Sequence, residues 1–177
     1  HNVAPFKDTN PEAAPDQTFK AVAYHPDGGG LGAYASGDGI HWRMLTADKI
    51  IGPPGPDSQN VAFWDPLRER YVLYFRRGDP DSPGLRGIWR AESRDFVTWS
   101  ELQPVAYADD AGVHMYTNCV RPYLRAPHIY IATPARYVPR RTKVPQHSHN
   151  GISDAILMSS RDGKVFQRWH HGFIRPG

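Results

Sequence analysis

Arg76 and Arg136 each close a run of strand-forming residues. Tyr71-Val72-Leu73-Tyr74-Phe75 precedes the first, and His128-Ile129-Tyr130-Ile131-Ala132-Thr133-Pro134-Ala135 precedes the second. A guanidinium at a strand end can make two parallel hydrogen bonds to a carboxylate or sulfate. His114 is the histidine best placed to move a proton, because it comes just before a recurring strand phrase and imidazole titrates near neutrality. Asn60 and Asn118 head two copies of that phrase, and their amides donate and accept hydrogen bonds but carry no proton at neutral pH. His114 is therefore the candidate acid or base, and Asn60, Arg76, Asn118 and Arg136 are the candidate ligand-binding groups. His147 and His149 stand two apart, which on a strand would point them the same way. No third ligand accompanies them, so no metal and no cofactor is expected.

The elements that must position these residues come from a repeat. Asn2-Val3-Ala4 returns as Asn60-Val61-Ala62 and, more loosely, as Asn118-Cys119-Val120, a spacing of 58 residues each time. A second phrase, S-x-D-x-x-x-aromatic, occurs at Ser36 to Trp42, Ser93 to Trp99 and Ser160 to Phe166, with its aspartates 57 and 67 apart. Recurrence of two phrases in the same order marks a repeat architecture. Asp38, Asp95 and Asp162 read as turn residues that bond nearby backbone amides, and Gly39 and Gly163 suit a positive φ. Trp42, Trp99 and Phe166 are expected at one equivalent buried position in each repeat. Asp8 and Asp65, each just before a proline-containing bend, read as turn residues too.

Between the two phrases each repeat carries two short runs rich in Val, Ile, Tyr, Phe and Trp, bounded by Gly, Pro, Asp and Ser. No segment shows an apolar 3.6-residue period of helical length. Four strands per repeat of this size describe the blade of a β-propeller. The fold class expected is all-β, with three four-stranded blades at about 1–46, 58–102 and 116–170. Three blades do not close a propeller. The remaining blades are expected from a longer chain or from a self-pairing copy.

Composition narrows the partners. A hydrophobic content of 40% with mean hydropathy −0.59 suits a chain that packs a core in water, and no apolar run is long enough to span a bilayer. The lone Cys119 excludes an internal disulfide framework and a cysteine metal cluster. The net charge of +3 is uneven: Arg121, Arg125, Arg136, Arg140, Arg141 and Lys143 crowd one stretch. Such a cluster attracts anions, but no aromatic–basic motif accompanies it, so nucleic acid is not the expected partner.

The order N-V-A-P-F-K-D-T-N-P, F-K-A-V-A-Y, S-G-D-G-I-H-W and N-V-A-F-W-D-P-L-R-E-R-Y-V-L-Y-F-R resembles the five-bladed propellers of the invertase and arabinanase type, glycoside hydrolase families 32, 43, 62 and 68. The resemblance covers nearly the whole chain, about three blades of five. It implies a secreted or extracytoplasmic protein that acts on a poly- or oligosaccharide, which the arginines would suit to an acidic one. It also implies two or three carboxylates at the starts of the inner strands, where a hydrolase keeps its acid and its nucleophile or base. In this sequence those positions fall at or near Asn2, on Gln59 and on Asn118. All three are amides. The alternative is therefore a propeller that binds glycan without cleaving it.

Overall fold

The computed structural model describes residues 3–53, 59–142, 144–146 and 150–176. The candidates Asn2, His147 and His149 lie outside the described residues. The chain forms two compact units, His1–Arg77 with Trp89–Gln103, and Gly78–Ile88 with Pro104–Gly177.

The first sheet runs in chain order: β1 (Ala4–Lys7), β2 (Phe19–Tyr24), β3 (Leu31–Ser36) and β4 (Arg43–Met44). The second repeats the plan with β5 (Val61–Asp65), β6 (Arg70–Gly78), β7 (Arg86–Ser93) and β8 (Gln103–Pro104). Such a meander needs only short connections, which the Gly- and Pro-rich turns supply. The third sheet comprises β9 (Ala106–Tyr107), β10 (His114–Met115), β11 (Arg121–Tyr123), β12 (Ala126–Ala132), β13 (Ala135–Val138), β14 (Ile152–Ser160) and β15 (Val165–Ile174).

Seven strands replace the four expected in the third repeat, for two local reasons. β12 pairs β14 from Tyr130↔Ser160 to Ala132↔Met158, and β13 continues the same register from Ala135↔Ala155 to Val138↔Ile152. They are one lane, broken at Thr133-Pro134 because proline has no N–H to give the ladder. On its far edge, β11 pairs β12 and β10 pairs β13. That lane is interrupted over Tyr116–Val120, where Cys119 takes φ 47°. Asn118-Cys119 thus lies in an irregular segment and not on the strand that the repeat predicted. With β14 and β15 added, the sheet is a four-lane meander. β9 runs parallel along the start of β15.

The three S-x-D turns are built alike. Ser36 Oγ accepts from the Asp38 and Gly39 amides at 3.3 and 2.9 Å and donates to Asp38 Oδ1, which in turn accepts from the Ile40 and His41 amides, both at 2.8 Å. Ser93 and Asp95 reproduce this onto Phe96, Val97 and Thr98, as do Ser160 and Asp162 onto Gly163, Lys164 and Val165. The aspartates hold turns, as their spacing suggested. The hydrogen bond from His41, with the amides behind it, keeps the Asp38 carboxyl far below the usual range. Burial raises Asp95 and Asp162, but the bonds to backbone amides outweigh it and both end lowered.

The aromatics that follow do not share one buried position. Phe166 is buried, whereas Trp99 is half-buried and Trp42 is 36% exposed. Each indole N–H donates back to its own turn, Trp42 to the Gly39 carbonyl and Trp99 to that of Phe96, at 3.1 and 3.2 Å. That bond holds the ring over the turn at the surface. In the second sheet the core position goes to Phe96, fully buried against Phe6, Tyr71 and Trp99 with ring centroids 5.7, 5.1 and 5.6 Å away.

In the first unit, the first two sheets meet over Phe6, Val22, Leu31, Leu73, Phe75 and Phe96. A polar knot crosses this contact. Tyr71 Oη donates to Asp8 Oδ2 at 2.6 Å and accepts from Lys20 Nζ at 3.0 Å and Asn10 Nδ2 at 3.1 Å, while Lys20 and Asp8 form a buried ion pair. Burial first, then the bond to Asp8, pushes the Tyr71 hydroxyl well above its ordinary pKa, so it remains a donor.

Phe96 adopts φ 67°, where the equivalent residues Gly39 and Gly163 have φ 77° and 72°. A side chain in that region costs about 1–2 kcal/mol, which burial of the ring offsets. Phe96→Ala is expected to cost about 3–5 kcal/mol. Phe96→Gly should cost about 1 kcal/mol less despite removing one more carbon, because it releases the left-handed strain. Urea denaturation of the two variants compares them directly; Ala more stable than Gly would contradict the account.

Candidate functional site

In the first unit, Asn60 stands immediately before β5 and Arg76 lies two residues beyond Tyr74, the β6 partner of Val61. Both occupy the end of the pair away from the hairpin at residues 66–69. Asn60 is wholly buried, and neither amide atom has a hydrogen-bond partner among the described residues. Arg76 is half-buried.

In the second unit, His114 and Arg136 lie where β10, β13 and β14 run side by side, and Asn118 lies in the irregular segment after β10. His114 pairs Tyr137, which pairs Ser153; Met115 pairs Arg136, which pairs Asp154. Side chains alternate along a strand, so these rows face opposite ways. His114 and Arg136 therefore serve different faces of the sheet.

On one face the His114 and Tyr137 rings meet edge to face at 5.9 Å, and Tyr116 meets Tyr137 at 5.3 Å. The Arg86 guanidinium lies over Tyr116, 4.6 Å from its centroid. Tyr137 Oη donates to the Asn150 carbonyl at 2.9 Å. Gly151, at φ 91°, is required here, since a Cβ would stand 2.2 Å from that hydroxyl oxygen. Burial, then the charge on Arg86, lowers the His114 pKa, so the ring is neutral at pH 7. Its Nδ1 has no partner among the described residues. A neutral imidazole beside two phenols and a guanidinium can accept a proton or take a hydrogen bond from a hydroxylated ligand.

Asn118 is buried in the irregular segment that follows β10. Its Oδ1 accepts from the Val120 amide at 3.2 Å, an Asx turn inside the irregular segment. The Ala135 amide donates to Thr117 Oγ1 and its carbonyl accepts from the Tyr116 amide, so both backbone groups of Ala135 beside the break are satisfied.

The opposite face carries a buried ion pair. Arg136 and Asp154 are cross-strand partners, and the guanidinium grips the carboxylate through Nε–Oδ1 at 2.8 Å and Nη2–Oδ2 at 2.5 Å. Arg136 Nη1 also donates to the His170 carbonyl at 2.8 Å. That carbonyl is available because β15 bulges: Leu157 pairs Trp169 and Ala155 pairs Ile174, so His170–Phe173 loops out opposite one residue of β14. The bulge walls a cleft of 480 Å³ lined by Arg136, Arg141, Asp154, His170, His171 and Arg175 among others. On the outer side of β15, Asp109 binds Arg168 through both oxygens and meets His170 Nε2 at 3.2 Å. The Arg168 bond holds the Asp109 carboxyl at about 2.

Of the predicted residues, the second unit places His114 on β10 and Asn118 in the irregular segment that follows it, and turns Arg136 to the opposite face from His114. Arg141, His170, His171 and Arg175 were not singled out as site residues. The pairing of Arg136 with Asp154 depends on a register that the sequence does not spell out.

No family model matches the sequence, and no curated protein matches it. Among solved structures the chain is similar to an N-acetylgalactosamine deacetylase from F. plautii in complex with blood group B trisaccharide, with TM-score 0.65 and 15% identity over 99% of this chain and 53% of that one. It is similar to a glycoside hydrolase with TM-score 0.61 and 15% identity, over 99% of this chain and 57% of the other. An α-L-arabinofuranosidase from Fusarium graminearum in complex with an iminosugar inhibitor aligns with TM-score 0.62 and 14% identity, over 97% and 49%. The fold shared with these structures is all-β and β-propeller-like. The chain spans about half the length of the structures it matches. Among the described residues, no helix is long and apolar enough to cross a membrane.

Asp154→Ala would leave Arg136 charged and buried, and is expected to cost about 3–5 kcal/mol. Replacing both residues by apolar ones of similar volume should cost much less, and chemical denaturation of the three variants checks the difference. For His114 the folded pKa lies below the unfolded one, so the unfolded chain takes the proton first. The fold should lose stability as the pH falls from about 6.5 towards the lower folded value. His114→Gln should flatten that part of the stability curve, measured by urea midpoints from pH 7.5 to 5.

Proposed function

We propose that this chain is part of a carbohydrate-active protein of the glycoside-hydrolase-like kind, acting on a poly- or oligosaccharide. One observation supports this above the others. The fold aligns over 97% to 99% of the chain with structures named for, or bound to, glycans and their analogues. The face carrying His114, Tyr116, Tyr137 and Arg86 suits such a ligand, since sugars stack on aromatic rings and exchange hydrogen bonds with neutral polar groups. On this reading His114 is the acid or base, and Asn118 a substrate-binding residue. Arg136 contributes from the other face through its ion pair, and Asn60 and Arg76 are the substrate-binding residues of the first unit. An acidic glycan fits the excess of arginines, and an extracytoplasmic location goes with the reading.

A second reading, glycan binding without hydrolysis, has its own support. Glycoside hydrolysis ordinarily needs two carboxyl groups flanking the bond. Asn2, Gln59 and Asn118 are amides where the resemblance expects acids. The carboxylate lining the Arg136 cleft, Asp154, is already clasped by a guanidinium.

Assaying one preparation against neutral and acidic polysaccharides, for binding and for release of reducing ends, separates the two. Hydrolysis is expected to fall by roughly a hundredfold or more in His114→Ala with binding nearly unchanged. Binding with no release selects the second reading. No binding to any glycan defeats both.

A further inference from the structure

We propose that the cleft over the Arg136–Asp154 pair is a seat for an oxyanion, gripped by Arg141 and Arg175. As an oxyanion seat it stands on the cleft alone; as the place where an acidic or sulfated sugar is recognised, it rests on the carbohydrate reading above.

The first observation is charge. Three guanidinium groups, Arg136, Arg141 and Arg175, line the cleft against one carboxylate, Asp154. The described lining therefore carries an excess of two positive charges before either histidine is protonated. The second is how those guanidiniums are used. Arg136 is committed: Asp154 takes its Nε and Nη2, and the His170 carbonyl takes Nη1. Arg141 is not. Its Nη1 stands 3.8 Å from Asp154 Oδ2, beyond hydrogen-bond reach, and its side chain is 58% exposed. Arg175 is exposed, and its guanidinium makes no hydrogen bond among the described residues.

The third observation is shape. The floor is closed, because Gly172 packs so near the carboxylate that a Cβ there would stand 3.1 Å from Asp154 Oδ2. The 480 Å³ of space lies above that floor, walled by the β15 bulge with His171 exposed at its rim. A buried, neutralised floor under two arginines that hydrogen-bond no carboxylate attracts an anion to the rim. Planar forks favour oxygens two at a time, so carboxylate, sulfate and phosphate are the fitting groups. The shared chemistry is an oxyanion, and its source is either a free inorganic ion or a sugar acid.

Titration calorimetry of the chain with sodium sulfate, galacturonate and galactose, at low and at moderate ionic strength, tests this. Sulfate is expected to bind, more weakly as salt rises. Arg141→Ala and Arg175→Ala, both at exposed positions and so without consequence for folding, should each weaken it about ten- to a hundredfold. Arg141→Lys should recover part of the loss. Galacturonate binding more tightly than sulfate, with galactose not binding, identifies the source as a sugar acid. If galacturonate binds no tighter than sulfate, the seat stands as one for free oxyanions and ceases to support the carbohydrate reading. Sulfate that does not bind, or binds both alanine variants as well as the parent, overturns the proposal.

Discussion

A buried charge must keep its partner, and each unit of this chain is arranged round a pair that does. In the first unit, Lys20 from β2 and Asp8 from the end of β1 meet inside the protein, and Tyr71 from β6 closes the set. Separating the first two sheets there would leave a lysine, a carboxylate and a phenol without partners in a dry interior. Because stranded buried charge costs several kcal/mol, packing of Phe6, Val22, Leu73 and Phe96 has only one arrangement consistent with it. The apolar contacts supply the drive, and the polar knot sets the alignment. Trp64 and Phe96 pack edge to face with the Tyr71 ring, at 4.9 and 5.1 Å, beside the knot.

In the second unit the corresponding pair, Arg136 and Asp154, also organises a site. It lies on one face of a sheet whose other face holds the His114, Tyr116 and Tyr137 rings. A single alternation of side chains therefore delivers two chemistries from adjacent rows. One face is aromatic with a neutral imidazole, suited to a hydroxylated ligand. The other is cationic over a neutralised floor, suited to an anion. Neither face holds two free carboxylates among the described residues, so proton transfer there would fall to histidine or to acids elsewhere in the protein.

Much of the fold was legible because its turns are chemical. The serine and aspartate of each S-x-D phrase satisfy the same backbone amides, so their spacing carries over directly into geometry. Strands β6 and β7 follow from runs of β-branched and aromatic residues bounded by turn residues. What could not be read were effects of tertiary competition. Trp42 and Trp99 were expected inside, yet an indole N–H that bonds its own turn is held at the surface, and Phe96 takes the core. The third sheet was expected to resemble the others, but one proline broke a lane and Cys119 bent its neighbour. The candidate residues were found by type and by place in the repeat. Which of them share a face depends on strand register, and no spacing rule reveals that.

The break at Pro134 has a further consequence for how the third sheet finds its alignment. Where a lane loses ladder hydrogen bonds, the two half-strands are held in step only by what lies on either side, and sliding becomes easier. A shift of one residue in β13 against β14 would move every side chain of that half-strand to the wrong face. Arg136 would then leave Asp154 and oppose Ser153 or Ala155, with its charge buried and unanswered. The pair therefore works as a registration pin. It makes the neighbouring alignments costly and so protects a strand whose own hydrogen bonding is interrupted.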